Sequence, residues 1–128
     1  AAQLGLDKPL KLNGSQVAYV AIGDEEPKEK FIQQLEKCSS LIVQASYHSR
    51  LTAMADVVLP VVNWLEQDGH YINLEGRIQT ASQVLKPADS IWTNEAVLNA
   101  LAEKLGFTLA SDWESTLSKR PAPVSIAA

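Results

Sequence analysis

The sequence is poor in the residues that build most reactive centres. It has one cysteine, Cys38, and two histidines, His48 and His70, in 128 residues. A single thiol closes no internal disulfide, which fits a reducing compartment. It also builds no cysteine-rich zinc or iron–sulfur site, because such sites take several ligands from one place. The plain role for Cys38 is a small apolar residue at a helix end; bridging to another subunit is the alternative. The histidines lie in polar stretches without His-x-x-His or His-Glu-x-x-His spacing, so no metal motif includes them. They read as surface or loop-packing residues. There is no Gly-x-Gly-x-x-Gly fingerprint, no Walker loop and no Gly-x-Ser-x-Gly elbow. A triad of Ser46, His48 and Asp56 exists only on paper. No apolar run reaches about 18 residues, the length of a membrane span, and no signal peptide is visible. Basic residues number 11 against 15 acidic, for a net charge of -4. They are scattered, which excludes the basic stripe of a nucleic-acid surface.

What is present describes a small folded domain. Apolar residues make up 46% and charged residues 20% of the chain, an ordinary globular balance. The opening, "AAQLGLDKP", has no methionine and reads like the middle of something, so an excised domain is expected. Such a domain should expose a contiguous apolar patch where its neighbours sat.

The residues from Gln16 to Ile22 are β-branched, aromatic or small and predict a buried strand. Gly23 follows, then Asp24, Glu25, Glu26 and Pro27, which suit the first turn of a helix. Phe31, Ile32, Leu35 and Cys38 share one face of that helix, of about three turns. Leu41–Ala45 is a second buried strand, and the strand–helix–strand unit should be parallel with a right-handed crossover. A short helix covered by Leu51, Met54 and Ala55 leads into a third strand, Asp56–Pro60, which ends at its proline. Asp68-Gly69 is a turn signal, with a short strand at Tyr71 and Ile72 and an extended polar run from Arg77. Thr93 is an N-cap for a helix with an apolar stripe of Val97, Leu98, Leu101 and Leu105, and Gly106 sits where a C-terminal glycine belongs. "SDWE" has capping-box spacing for one more short helix, and the tail from Ser118 is a loose linker. The organisation is a domain over residues 1–110, then a short helix and flexible tail over 111–128. The fold class is α/β: a small three-layer domain with a mainly parallel sheet of about three or four strands and helices on both faces.

Two places invite a chemical reading. The acids Asp24, Glu25 and Glu26 lie past the carboxyl end of a strand, where doubly wound folds bind ligands. One glycine beside three carboxylates repels a phosphate, and helix capping accounts for them more simply. The second is the run from Asp68 to Arg77. Glu75 and Arg77 are too close in an extended chain to flank a substrate, and an arginine–carboxylate pair more often pins a corner. Asn73 and Glu75 can bond backbone amides and hold the loop rigid. A rigid polar loop also lines ligand sites.

The stretch "ADVVLPVVNWLEQDGHYINLEGRIQ", Ala55 to Gln79, resembles a hallmark of the molybdopterin oxidoreductase superfamily: the strand ending in Leu-Pro, a Glu near an Asp-Gly turn, and an Asn-x-Glu-Gly-Arg corner. "ALAEKLG" follows at the usual remove, and the upstream unit resembles the family's second nucleotide-binding-like domain. The resemblance covers about residues 1–107. It points to two branches. One is the molybdenum or tungsten enzymes, formate dehydrogenases and nitrate reductases among them. The other is the large iron–sulfur subunit of respiratory complex I, the NADH-quinone oxidoreductase, which keeps the fold and whose pterin region is generally empty. "Glu-Gly-Arg-Ile-Gln" resembles the second; "Asn-Leu-Glu-Gly-Arg" also resembles nitrate reductases.

Two departures from the cofactor-binding pattern favour the complex I branch. The cofactor-binding members place an Asp after the second strand, to read the guanine edge; here Ala45 stands there. They also carry a Gly-x-Asn-Pro turn after the first strand; here Gly23-Asp24-Glu25-Glu26-Pro27 lacks the Asn and adds charge. A carboxylate near a phosphate costs about 1 kcal/mol per close pair in water, and more when buried. The resemblance thus implies a scaffold and subunit-contact domain in NADH-to-quinone electron transfer. It would have no redox centre, cofactor, metal or catalytic residue of its own, and would not be catalytically complete. It would contact other domains or subunits of an oxidoreductase complex, with no nucleic acid and no membrane insertion. Its place would be cytoplasmic, peripheral to the inner membrane through the complex. The alternative is a cofactor-binding domain of a formate dehydrogenase or nitrate reductase type. It would hold molybdopterin guanine dinucleotide, with His48, Asn73, Glu75 and Arg77 as contacts. A second alternative is a free-standing interaction module that assembles with other oxidoreductase chains.

Overall fold

The computed structural model describes Leu12 and residues 14–23, 25–73 and 77–109. Strand β1 (Val17–Ala21), helix α1 (Glu29–Leu35), strand β2 (Ser40–Ala45), helix α2 (Arg50–Met54) and strand β3 (Val57–Pro60) follow in order. The ribbon β4 (Gly69–Ile72) and β5 (Ile78–Ala81) comes next, then helix α3 (Asn94–Leu105). The sheet is three-stranded in the order β1-β2-β3, and both pairings are parallel. Trp92 adds one parallel bridge to Val61, beside the end of β3, the start of a fourth position. The α/β class and the mainly parallel sheet follow as the sequence predicts.

Two right-handed crossovers running the same way across a sheet put both connecting helices on one face. The core has that form. Ala18 of β1, Leu41, Val43 and Ala45 of β2, Leu35 of α1 and Leu51 of α2 form one buried cluster. Phe31, Cys38 and Met54 pack against it, so Cys38 serves as an apolar filler at the end of α1. Burying a side chain such as Leu35 or Leu51 stabilises the fold by about 1.5–3 kcal/mol.

The opposite face carries the alternate residues. Gln44 points there and donates from Nε2 to Asn94 Oδ1 at 2.5 Å, which ties the start of α3 to the centre of the sheet. Helices therefore lie on both faces. This second face is only partly covered. Tyr19, Ile42 and Val57 share one register row across the three strands. Tyr19 and Val57 are exposed, as is Val17 further along β1.

Three elements differ from expectation. Helix α1 begins at Glu29 with an extended Lys28 as its N-cap, so Pro27 and the acids precede the helix. The residue before a proline avoids helical backbone, which keeps Glu26 out of the helix, and the extended Lys28 sets the start at Glu29. The helix spans 7 residues, shorter than three turns, although Cys38 N still bonds to Leu35 O at 2.9 Å. In α3, Thr93 caps through its side chain and Gly106 ends the helix at a φ of 76°, both as expected. Its stripe is not wholly inside, however. Val97 and Ala102 are buried, while Leu98 and Leu105 are exposed. Finally, His70 lies on strand β4 rather than in a loop. The short helix expected at Ser111–Glu114 and the tail lie outside the described residues.

Candidate functional site

The carboxyl ends of parallel strands are where α/β folds hold ligands, because loops diverge there and leave a crevice. A cleft of about 400 Å³ opens at that end of this sheet. Each wall comes from a chain segment leaving a strand: Ala21 to Gly23 after β1, Ser46 and Tyr47 after β2, and Val62 to Trp64 after β3. Tyr71 of the ribbon and Asn94 at the start of α3 close it.

Local bonds hold these walls in place. Strand β3 stops where its register reaches Pro60 opposite Ala45, and Val61 N donates to Ala45 O at 3.1 Å instead. Ser46 Oγ then donates to Val62 O at 3.1 Å, joining the exits of β2 and β3. Asn63 makes a tight turn: its Oδ1 accepts from Leu65 N at 2.8 Å, while its own amide donates to Glu66 Oε2 at 2.9 Å. Such side-chain-to-backbone bonds imitate a turn and fix the loop. The ribbon is anchored at its base, where Asp68 Oδ1 accepts from Gln83 N at 2.8 Å and Leu65 O accepts from Val84 N and Leu85 N. A two-stranded ribbon is marginal by itself, so these anchors matter.

Beneath the cleft lies a fully bonded polar centre. Gln44 is 1% exposed. Its Oε1 accepts from the Tyr19 hydroxyl and its Nε2 donates to Asn94. Burial pushes the Tyr19 phenol above its ordinary range. Both ends of the glutamine are satisfied, so burying it stabilises one arrangement of strand and helix rather than leaving a lone polar group.

The residues singled out from the sequence are not gathered at this cleft. His48 is exposed in the connection before α2, ahead of the Ser49 cap. Asn73 and Arg77 close the tip of the ribbon: Asn73 Oδ1 accepts from Arg77 N at 2.9 Å, and Asn73 N donates to Arg77 O at 3.0 Å. Glu75 lies outside the described residues. Asn73 thus acts as a corner brace. Sequence reasoning missed Tyr47, Asn63, Trp64 and Asn94. Their signal was positional, since three of them come two to four residues after a strand end.

Among the described residues the cleft lining is aromatic, amide-bearing and small, without a charged side chain. Among the described residues no group of three or more His, Cys, Asp or Glu side chains is placed to hold a metal. No helix among them is long and apolar enough to cross a membrane.

A family model described as molybdopterin oxidoreductase matches residues 4–104. The chain belongs to the molybdopterin oxidoreductase family. Relatives in that family include the NADH-quinone oxidoreductase G subunit of Rickettsia felis, 31% identical over 109 residues, which cover 85% of this chain and 16% of the relative. The same subunit of Rickettsia bellii is 34% identical over 119 residues, 91% of this chain and 17% of the relative. The F420-dependent formate dehydrogenase alpha subunit of Methanocaldococcus jannaschii is 30% identical over 101 residues, 74% of this chain and 15% of the relative. The chain spans about a sixth of the length of these family members. Both branches expected from the Ala55–Gln79 hallmark are therefore represented.

Proposed function

We propose that this chain is a scaffold and subunit-contact domain of the type found in the NADH-quinone oxidoreductase G subunit, serving NADH-to-quinone electron transfer without a redox centre of its own. The observation that carries this reading is the chemistry of the cleft at the strand ends. Ala45, 5% exposed, occupies the end of β2 where a guanine-reading carboxylate would stand. No cation lines the cleft among the described residues. A pyrophosphate needs exposed amides or cations. A lining without a cation among the described residues supports a domain that holds no pterin guanine dinucleotide. The exposed side chains of Val17, Tyr19 and Val57 on the second face support the contact role, since exposed apolar patches mark places where proteins meet. Partners would be other domains or subunits of an oxidoreductase complex. Its location would be cytoplasmic, peripheral to the inner membrane through that complex.

The formate dehydrogenase relative favours a second reading, a cofactor-binding domain of a molybdopterin-dependent enzyme using His48, Asn73, Glu75 and Arg77. Calorimetric titration with guanosine diphosphate separates the two. The scaffold reading expects no heat up to millimolar nucleotide. Saturable binding that is lost in Asn73→Ala or Arg77→Ala would establish the cofactor-binding reading.

A further inference from the structure

Strand β3 is paired along one side only. In a parallel ladder, successive residues turn their N–H and C=O groups to opposite sides of the strand. Asp56 N donates to Leu41 O at 2.9 Å, so Asp56 and Val58 face β2. Val57 and Leu59 turn theirs outward, and those groups have no hydrogen-bond partner among the described residues. Further along, Val62 N donates to Trp92 O at 3.0 Å and Trp92 bridges Val61. Among the described residues the chain thus fills the position next to β3 beyond Pro60 and leaves it vacant before. Outward N–H and C=O groups on an edge are matched by another extended backbone. Proteins commonly guard such edges with charge or proline. Here Asp56 and Pro60 flank the free stretch, and Val57, Val58 and Leu59 between them are all apolar.

The surroundings of that edge specify side chains as well. Leu59 stands in register with Gln44, which points to the face that α3 covers. Residues paired across strands share a face, so a residue set opposite Leu59 sends its side chain there too. A groove of about 300 Å³ opens at that place, between Leu59 and Trp92 on one side and Val97 and Leu101 of α3 on the other. Its lining includes one charged side chain, Lys104, which is exposed and makes no ion pair among the described residues. The groove suits a large apolar side chain and Lys104 suits a carboxylate. Along a strand, side chains on one face recur at every second residue. We infer that the outer edge of β3 takes up an extended segment of a partner protein as a short added strand, with backbone bonds to Val57 and Leu59, one large apolar side chain in the groove and a carboxylate two residues away on Lys104. This rests on the scaffold reading and gives the contact role a place.

The test uses the full chain labelled with nitrogen-15 and the capped peptide acetyl-Thr-Phe-Thr-Glu-Thr-amide, which combines strand-forming residues with the required spacing. Titration at millimolar concentrations should move the backbone amide signals of Val57 and Leu59 and the Trp92 indole signal along saturable curves. Acetyl-Thr-Phe-Thr-Lys-Thr-amide should bind at least about threefold more weakly, the scale of one exposed ion pair. Lys104→Glu, a change at an exposed side chain, should reverse that order. Ala100→Gln, which fills the groove from α3, should weaken both peptides. No saturable movement of the Val57 and Leu59 signals overturns the inference and leaves the scaffold reading to the nucleotide titration. The same order of the two peptides in Lys104→Glu overturns the assignment of an acidic segment. Movement of these signals with protein concentration alone gives the edge to a second copy. Protection of the Val57 and Leu59 amides from hydrogen exchange without peptide gives it to the chain's own residues. Either of these results overturns the assignment to a partner.

Discussion

Leu41 and Asp56 clasp the start of strands β2 and β3. Leu41 N donates to Asp56 Oδ2 at 2.7 Å, and Asp56 N donates to Leu41 O at 2.9 Å. The carboxylate stands one residue ahead of β3, so it sets which residue of β3 meets Ile42. Asp56→Ala removes the acceptor and should lower stability by about 1 kcal/mol, the worth of an ordinary hydrogen bond and less than a buried bond to a charged group, because Asp56 is exposed. Asp56→Asn keeps an acceptor and should recover part of the loss. Thermal unfolding followed by circular dichroism measures both.

Gln44→Ala should be the most damaging single change in the sheet. It leaves a cavity and strips the partners of Tyr19 and Asn94. A cost of about 2–4 kcal/mol is expected, from the lost packing together with the unpaired groups. Gln44→Leu fills the volume and should cost less. Urea denaturation would rank them, and equal losses would show that the lost hydrogen bonds, not the packing, set the cost.

The Tyr19 phenol gives the fold an alkaline limit. Burial raises its folded pKa, so above about pH 10, the ordinary value, the unfolded chain loses this proton first. The stability contribution is complete below that pH and falls as pH rises toward the higher folded value. Tyr19→Phe should flatten this part of the stability profile. An unchanged alkaline slope in the variant would remove Tyr19 as its cause.

Arg50 joins α2 to α1 through Glu29 at 2.5 Å and Glu36 at 3.6 Å. All three side chains are about half exposed, so solvent screening reduces the worth of the network. Arg50→Ala should cost no more than about 0.5–1 kcal/mol at low salt. In 1 M salt, where the screening length is about 3 Å, the difference should nearly vanish.

Gly106→Ala places a side chain on left-handed backbone at a φ of 76°. A loss of about 1 kcal/mol is expected from the backbone conformation, because an added Cβ would meet nothing within 4 Å. A neutral result in thermal unfolding would mean that the end of α3 frays without consequence.

The parallel core was legible because its signals are local. Runs such as "LIVQA" are β-branched, and turn residues or a proline bound each strand. Thr93 and Gly106 marked α3 for the same reason. The start of α1 was misread because capping acids and a proline beside a helix look alike whether they lie inside or before it. The period of α3 gave a face but not what covers it, and Leu105 remains 70% exposed. The cleft was hidden because Tyr47, Trp64, Tyr71 and Asn94 come from four separate segments. Asn73 was visible as a brace for backbone amides, and its Oδ1 accepts from Arg77 N; the Glu75–Arg77 pair expected at the corner involves a residue outside the described ones.

Gln44 and Asn94 stand 50 residues apart in the chain. The contacts among β1, α1, β2, α2 and β3 close much shorter loops, and long loops are slower to close. The sheet should therefore assemble first and α3 should settle on it last, once Gln44 is held in place. The same order should run backwards when the molecule breathes. Amide hydrogens of α3 should exchange through a partial opening while those of β2 wait for global unfolding. A helix seated by one polar pair and a short apolar face of Val97 and Ala102 would then be the part of the domain that detaches without melting the rest.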